Sequence, residues 1–100
     1  MNPVKEMLQK YTKYPVAFAD HGGGAHLSLP NGWTVSVQWL SPFEGTAALP
    51  KGYHVLYANP ETSAEVWAWD RHGKGLKDVK GHQHVAQVKR FISYIARKEA

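Results

Sequence analysis

Ala25-His26-Leu27-Ser28-Leu29-Pro30-Asn31-Gly32-Trp33-Thr34-Val35-Ser36-Val37-Gln38-Trp39 is the stretch whose reading decides the fold. Two alternating runs flank an Asn-Gly pair, and both residues of that pair tolerate positive φ, so the segment predicts a β-hairpin. Along the second run Trp33, Val35, Val37 and Trp39 share one face and Thr34, Ser36 and Gln38 the other. A strand so patterned is half-buried, and an antiparallel sheet with one covered face follows.

Working outward from the hairpin, Asp20-His21-Gly22-Gly23-Gly24 reads as a turn or a mobile loop, preceded by a short strand, Val16 to Ala19. On the other side Ser41 to Lys51 reads as a loop, Gly52 to Ala58 as a strand and Asn59-Pro60-Glu61-Thr62 as a turn. Ser63 to Trp69 is a further strand whose centre, Val66-Trp67-Ala68-Trp69, is apolar on both faces, which suits an inner position. Asp70 to Gly75 reads as a turn that leaves the sheet.

The two ends read as helices. Val4, Met7, Leu8 and Tyr11 recur at helical spacing behind Asn2 as N-cap and Pro3 at the first position, with Pro15 as the stop. Val85, Val88, Ile92 and Ile95, with Phe91 beside them, form the stripe of a second helix over Gln83 to Arg97. The expected fold is therefore α+β in a single domain, residues 1–100: an antiparallel sheet of three to five strands, with an N-terminal and a C-terminal helix packed on one face.

Composition narrows the chemistry. The chain has 100 residues and no cysteine, which removes disulfides, thiolate metal sites and a cysteine nucleophile. Its start lacks the basic and long apolar parts of a signal peptide, and no apolar run approaches bilayer length, so a cytoplasmic protein without membrane contact is expected. Net charge is +4, unevenly placed: residues 1–70 carry four Lys/Arg against six Asp/Glu, residues 71–100 eight against two. A basic segment on a mildly acidic body suits an anionic partner.

Catalytic constellations fail on inspection. His82-Gln83-His84, with Asp20-His21 and His26, holds ligand types for a metal, but an i, i+2 pair at a helix start diverges, so surface or capping histidines are the simpler reading and no metal is expected. Asp20-His21 lacks a serine framed in a nucleophile elbow. Gly22 to Gly24 lacks the Gly-Lys-Ser/Thr ending of a phosphate loop. Glu65 and Asp70 stand five apart on or beside one strand and point to opposite faces. No enzyme and no cofactor are expected.

The binding candidates are Arg71, Lys74, Lys77, Lys80, Lys89 and Arg90, together with Trp67 and Trp69. A run of cations neutralises phosphates or meets an acidic protein face, yet it serves equally as a solvated surface. Trp67 and Trp69 share one strand face, so with helices on one side only, some aromatics among Trp33, Trp39, Tyr53, Tyr57, Trp67 and Trp69 stay exposed and mark an interface or a homodimer seam. For any single ring a place in the core is the simpler reading.

Two of these stretches also carry a resemblance. Pro30 to Trp39 resembles the PNGxTVSVQ hairpin of small phage and prophage proteins, and Glu61-Thr62-Ser63-Ala64-Glu65-Val66-Trp67-Ala68-Trp69-Asp70, with Gly73 after it, resembles their second segment; a helix follows in both. The likeness spans roughly residues 27–96. Between the two segments Leu40-Ser41-Pro42-Phe43-Glu44-Gly45 stands where those proteins often carry Gly-Pro-Gly-Asn-Tyr. The resemblance brings no activity with it. It implies a phage or prophage source and the habit of small phage accessory proteins, anti-CRISPR and other anti-defence proteins among them, of binding and inhibiting host machinery. The expected function is thus a non-catalytic accessory protein that binds a host protein, with a small nucleic-acid-binding protein using segment 71–98 as the alternative.

Overall fold

The computed structural model describes residues 2–41 and 56–99. Their order is α1 (Pro3–Gln9), β1 (Val16–Phe18), β2 (Gly24–Ser28), β3 (Thr34–Gln38), β4 (Ala64–Trp69), β5 (Lys80–Gln83) and α2 (Val85–Ala96). The strands form one antiparallel meander, β1-β2-β3-β4-β5, so the α+β architecture and the inner place of β4 are as the patterning predicts.

Alternation decides what is inside. Ala25 and Leu27 of β2, Val35 and Val37 of β3, and Ala64, Val66 and Ala68 of β4 point to one face and are buried. Against them lie Val4 and Leu8 of α1 and Val88, Phe91, Ile92 and Ile95 of α2. Each such aliphatic or aromatic side chain contributes about 1.5–3 kcal/mol on burial, so the two stripes hold both helices to this face.

Local chemistry sets the ends of the elements. Asn2 caps α1, its Oδ1 accepting from the Val4 and Lys5 amides at 2.8 and 3.4 Å, while its Nδ2 donates to the Pro60 and Ser63 carbonyls at 2.8 and 2.9 Å. The helix stops at Gln9, well short of Pro15. The Lys10 and Tyr11 amides close back on the Met7 and Leu8 carbonyls, tightening the last turn, and residues 11–15 carry the chain from the helix layer to the sheet edge.

The glycine run is an ordered hairpin turn, closed by Ala19 N–H to Gly24 O and Gly22 N–H to Ala19 O, both 2.9 Å. The β2–β3 connection differs from a two-residue Asn-Gly turn. Leu29 accepts from Gly32 N–H and donates to Trp33 O, and only Gly32 takes a left-handed φ, +88°, so the loop is the three residues Pro30-Asn31-Gly32. The Asn31 side chain serves both the turn and α2, its Oδ1 accepting from the Trp33 amide at 3.1 Å. Its Nδ2 donates to the carbonyls of Ile95 and Lys98, 2.8 and 3.0 Å, and so caps the C-terminus of α2.

Of the strand expected over Gly52 to Ala58, Gly52 to Val55 lie outside the described residues, as does most of the loop expected before it. Leu56 to Ala58 are not in a strand. The Asn59 to Thr62 turn is present, with Ser63 N–H on Asn59 O. Two corrections concern the segment after β4. Asp70 to Gly75 does not leave the sheet: Asp70 N–H bonds Lys74 O, Gly75 bridges back to Trp69, and Leu76 N–H bonds Ala68 O. The returning chain then pairs as β5, Gln83 opposite Ala64 and Lys80 opposite Val66. Lys80-Gly81-His82-Gln83 has no apolar residue, so nothing in its pattern announces a strand; pairing with β4 makes it one. Accordingly α2 starts later than Gln83, at Val85, with Gln87 Oε1 accepting from the His84 amide at 2.9 Å.

Asn31→Ala removes the side chain that donates to the Ile95 and Lys98 carbonyls at the end of α2. A loss of about 1–3 kcal/mol in chemical denaturation is expected, against less than about 0.5 kcal/mol for an ordinary surface substitution.

Candidate functional site

The second face of the sheet carries the chemistry, and neither helix lies on it. The registers place Trp69 opposite Thr34, Trp67 opposite Ser36 and Glu65 opposite Gln38; Ser36 in turn opposes His26, and Thr34 opposes Ser28. The face therefore reads as a polar lane of Ser, Thr and Gln side chains between His26 on one strand and two tryptophans on another.

The rings touch. Trp67 and Trp69 have centroids 5.6 Å apart at 43°, and His26 meets Trp69 edge to face at 5.1 Å and 86°. Trp67 is braced from the side: its Nε1 donates to Leu76 O at 2.8 Å, and Gly75 lies so close that an added Cβ would overlap the indole ring. Both tryptophans remain half-buried, neither sealed into the core nor fully solvated. A braced aromatic of this kind presents area to a partner without first having to be ordered. Packing beside Trp69 also partly desolvates His26 and holds its pKa below the ordinary 6.5, favouring the neutral ring.

The turn at the Trp69 end carries two of the expected cations. Asp70 Oδ1 accepts from the amides of Lys74 and His72, at 3.0 and 2.9 Å, and these bonds hold its carboxyl below the usual carboxylate range. Arg71 leans across Gly32, its Nη2 donating to Asn31 O at 3.1 Å, so its guanidinium is fixed beside the β2–β3 turn. Lys74 is exposed on the same turn.

The other four candidates stand elsewhere. Lys77 is exposed on the way to β5. Lys80 and Arg90 face one groove with Phe91 and Tyr94, and Lys89 faces another, between α1 and α2, with Lys10 and Lys13. The basic segment is thus divided among the Arg71–Lys74 turn, Lys77, the Lys80–Arg90 groove and the Lys89 groove. Of the remaining aromatics, Trp39 is buried, Trp33 packs at the end of α2 beneath the Lys98 ammonium, Tyr57 is exposed, and Tyr53 lies outside the described residues.

Among the described residues the histidines do not converge. His21 accepts from the Gly23 amide in its own turn, His26 is on the aromatic face, His82 sits in β5 with φ +51°, and His84 caps α2. Among the described residues no three of His, Cys, Asp or Glu gather as a metal site would require. The part His26 plays beside the tryptophans goes unannounced by any motif, yet the hairpin pairing contains it: His26 opposes Ser36, and Ser36 shares its face with Gln38 and Thr34. No helix among the described residues is long and apolar enough to cross a membrane. No protein-family model matches the chain, and neither a curated protein nor a solved structure matches it.

Two outcomes test this geometry. Gly75→Ala drives a methyl into the Trp67 ring, and a change in near-ultraviolet circular dichroism with a loss of about 1–3 kcal/mol is expected. For His26 the sign is that of a group kept neutral by folding. Its contribution to stability is full above the unfolded pKa and is lost as pH falls through that value toward the depressed folded one. Trp69→Ala removes the ring that desolvates it, so the His26 titration followed by NMR should move back up toward 6.5.

Proposed function

We propose that the protein is a non-catalytic binding protein, a phage or prophage accessory factor that engages a protein of its host in the host cytoplasm and inhibits it, with defence machinery as the target class. The observation that carries the binding reading is the aromatic row His26–Trp69–Trp67 beside the Arg71–Lys74 turn. Tryptophan and arginine are the side chains that most often dominate interface energetics, and here both are held in place before any partner arrives. The phage source and the inhibitory role rest on the likeness of the Pro30–Trp39 and Glu61–Asp70 segments to small phage proteins.

One observation favours a second reading. Half-exposed rings beside cations are also how proteins stack unpaired bases against a basic groove. The two readings part on salt and on nuclease.

The test is retention from bacterial lysate on the immobilised protein, with and without nuclease, read by mass spectrometry. One host protein is expected to survive nuclease digestion and to be lost about tenfold or more with Trp69→Ala or Arg71→Ala. Retention that disappears with nuclease, or at moderate salt, transfers the face to nucleic acid. A retained protein indifferent to both substitutions removes the face from the contact.

A further inference from the structure

Among the described residues the sheet has an open edge as well as an open face, and its backbone geometry is specific. In the β1–β2 ladder Ser28 N–H bonds Pro15 O at 3.1 Å and Ala19 N–H bonds Gly24 O at 2.9 Å, with Val16 opposite Leu27, Ala17 opposite His26 and Phe18 opposite Ala25. Antiparallel pairs alternate between bonded and non-bonded positions. Positions 15, 17 and 19 therefore direct their backbone groups at β2, and Val16 and Phe18 direct theirs outward. Among the described residues no hydrogen bond reaches those outward groups.

Edge strands are commonly blunted by proline, which removes a donor. Pro15 does not do so here, because the donor it lacks is one that would have faced inward to Ser28. The outer row of the edge stays intact, and Phe18 beside it is 42% exposed.

A groove runs along this edge on the helix side, between α1 and β1, floored by Leu8, Tyr11, Tyr14, Val16 and Phe18. Val16 and Phe18 project to that side because their partners Leu27 and Ala25 belong to the core. Lys13 is the sole charged residue of the lining, its Nζ 5.6 Å from the Tyr14 ring centroid, with no carboxylate near it in the groove.

We infer that β1 accepts an extended segment of a partner protein as a sixth strand, with apolar side chains at alternate positions seated in the Tyr11–Tyr14–Phe18 groove and an acidic residue opposite Lys13. The outward amides and carbonyls of Val16 and Phe18 supply the main-chain pairing, and the groove supplies sequence preference. A second copy of this chain fits less well, since it offers only another three-residue strand and the same net charge of +4. The inference is independent of the aromatic face, which lies on the other side of the sheet.

The probe is a displayed library of linear peptides about eight residues long, selected on the full chain. The best binder is then titrated into isotope-labelled protein. Selected peptides should alternate apolar residues with an acid nearby, and should shift and protect the Val16 and Phe18 amides most. Phe18→Pro removes one outward donor while sparing the inner ladder, and should weaken binding about tenfold with the circular dichroism unchanged. Should that variant misfold, the peptide itself carries the test. N-methylation at the residues facing Val16 and Phe18 should cost about tenfold, and N-methylation at the residues between them should cost little. No selectable peptide, equal loss at both sets of positions, or shifts centred on His26, Trp67 and Trp69 would each overturn the inference. Trp69→Ala should leave this binding unchanged.

Discussion

The register between β3 and β4 is the constraint on which the rest depends. With Val35 opposite Ala68 and Val37 opposite Val66, four small and branched side chains face the helices, while Trp67 and Trp69 are sent to the other side. A slip of one residue in β4 would bury the two indoles under the helices and expose Val66 and Ala68. Neither outcome is tolerable: the space between sheet and helices is filled by Val88, Phe91, Ile92 and Ile95. The core and the aromatic face are thus one decision, made by the period of two.

Two asparagines then tie the helices to that sheet. Asn2 joins the start of α1 to the loop before β4, and Asn31 joins the end of α2 to the β2–β3 turn. A hydrogen bond of this kind contributes about 1 kcal/mol net, whereas the four buried residues of α2 contribute about 1.5–3 kcal/mol each. Burial therefore decides that α2 packs, and Asn31 decides where along its axis it stops. Because Arg71 donates to Asn31 O, the same turn also locates the cation at the end of the aromatic row. Helix end, hairpin and site share one small patch of backbone.

Much of this was legible in the residues. The hairpin, the two apolar stripes and the shared face of Trp67 and Trp69 follow from periodicity alone. The turn type did not, because Pro30 draws the loop to three residues and only Gly32 needs positive φ. β5 was hidden, since a strand without apolar residues is recognisable only by its neighbour. The early end of α1 was hidden for a similar reason: the route to the sheet edge, and not the helix's own sequence, sets it. The basic segment looked like one patch in the chain, and it is divided because residues 70–76 fold back along β4 and carry Arg71 and Lys74 away from Lys80, Lys89 and Arg90. His26 joined the site through pairing, which no single strand reveals.

The central claim is that the partner meets the aromatic face. The chain holds four tryptophans, one buried, one at the end of α2 and two on that face. Fluorotryptophan incorporated at all four gives each its own signal in fluorine NMR, assigned by single replacement with phenylalanine. On addition of nuclease-treated host lysate the signals of Trp67 and Trp69 should shift or broaden while that of Trp39 stays in place. Movement of Trp33 alone, with Trp67 and Trp69 unchanged, would contradict the claim and put the contact at the C-terminal end of α2.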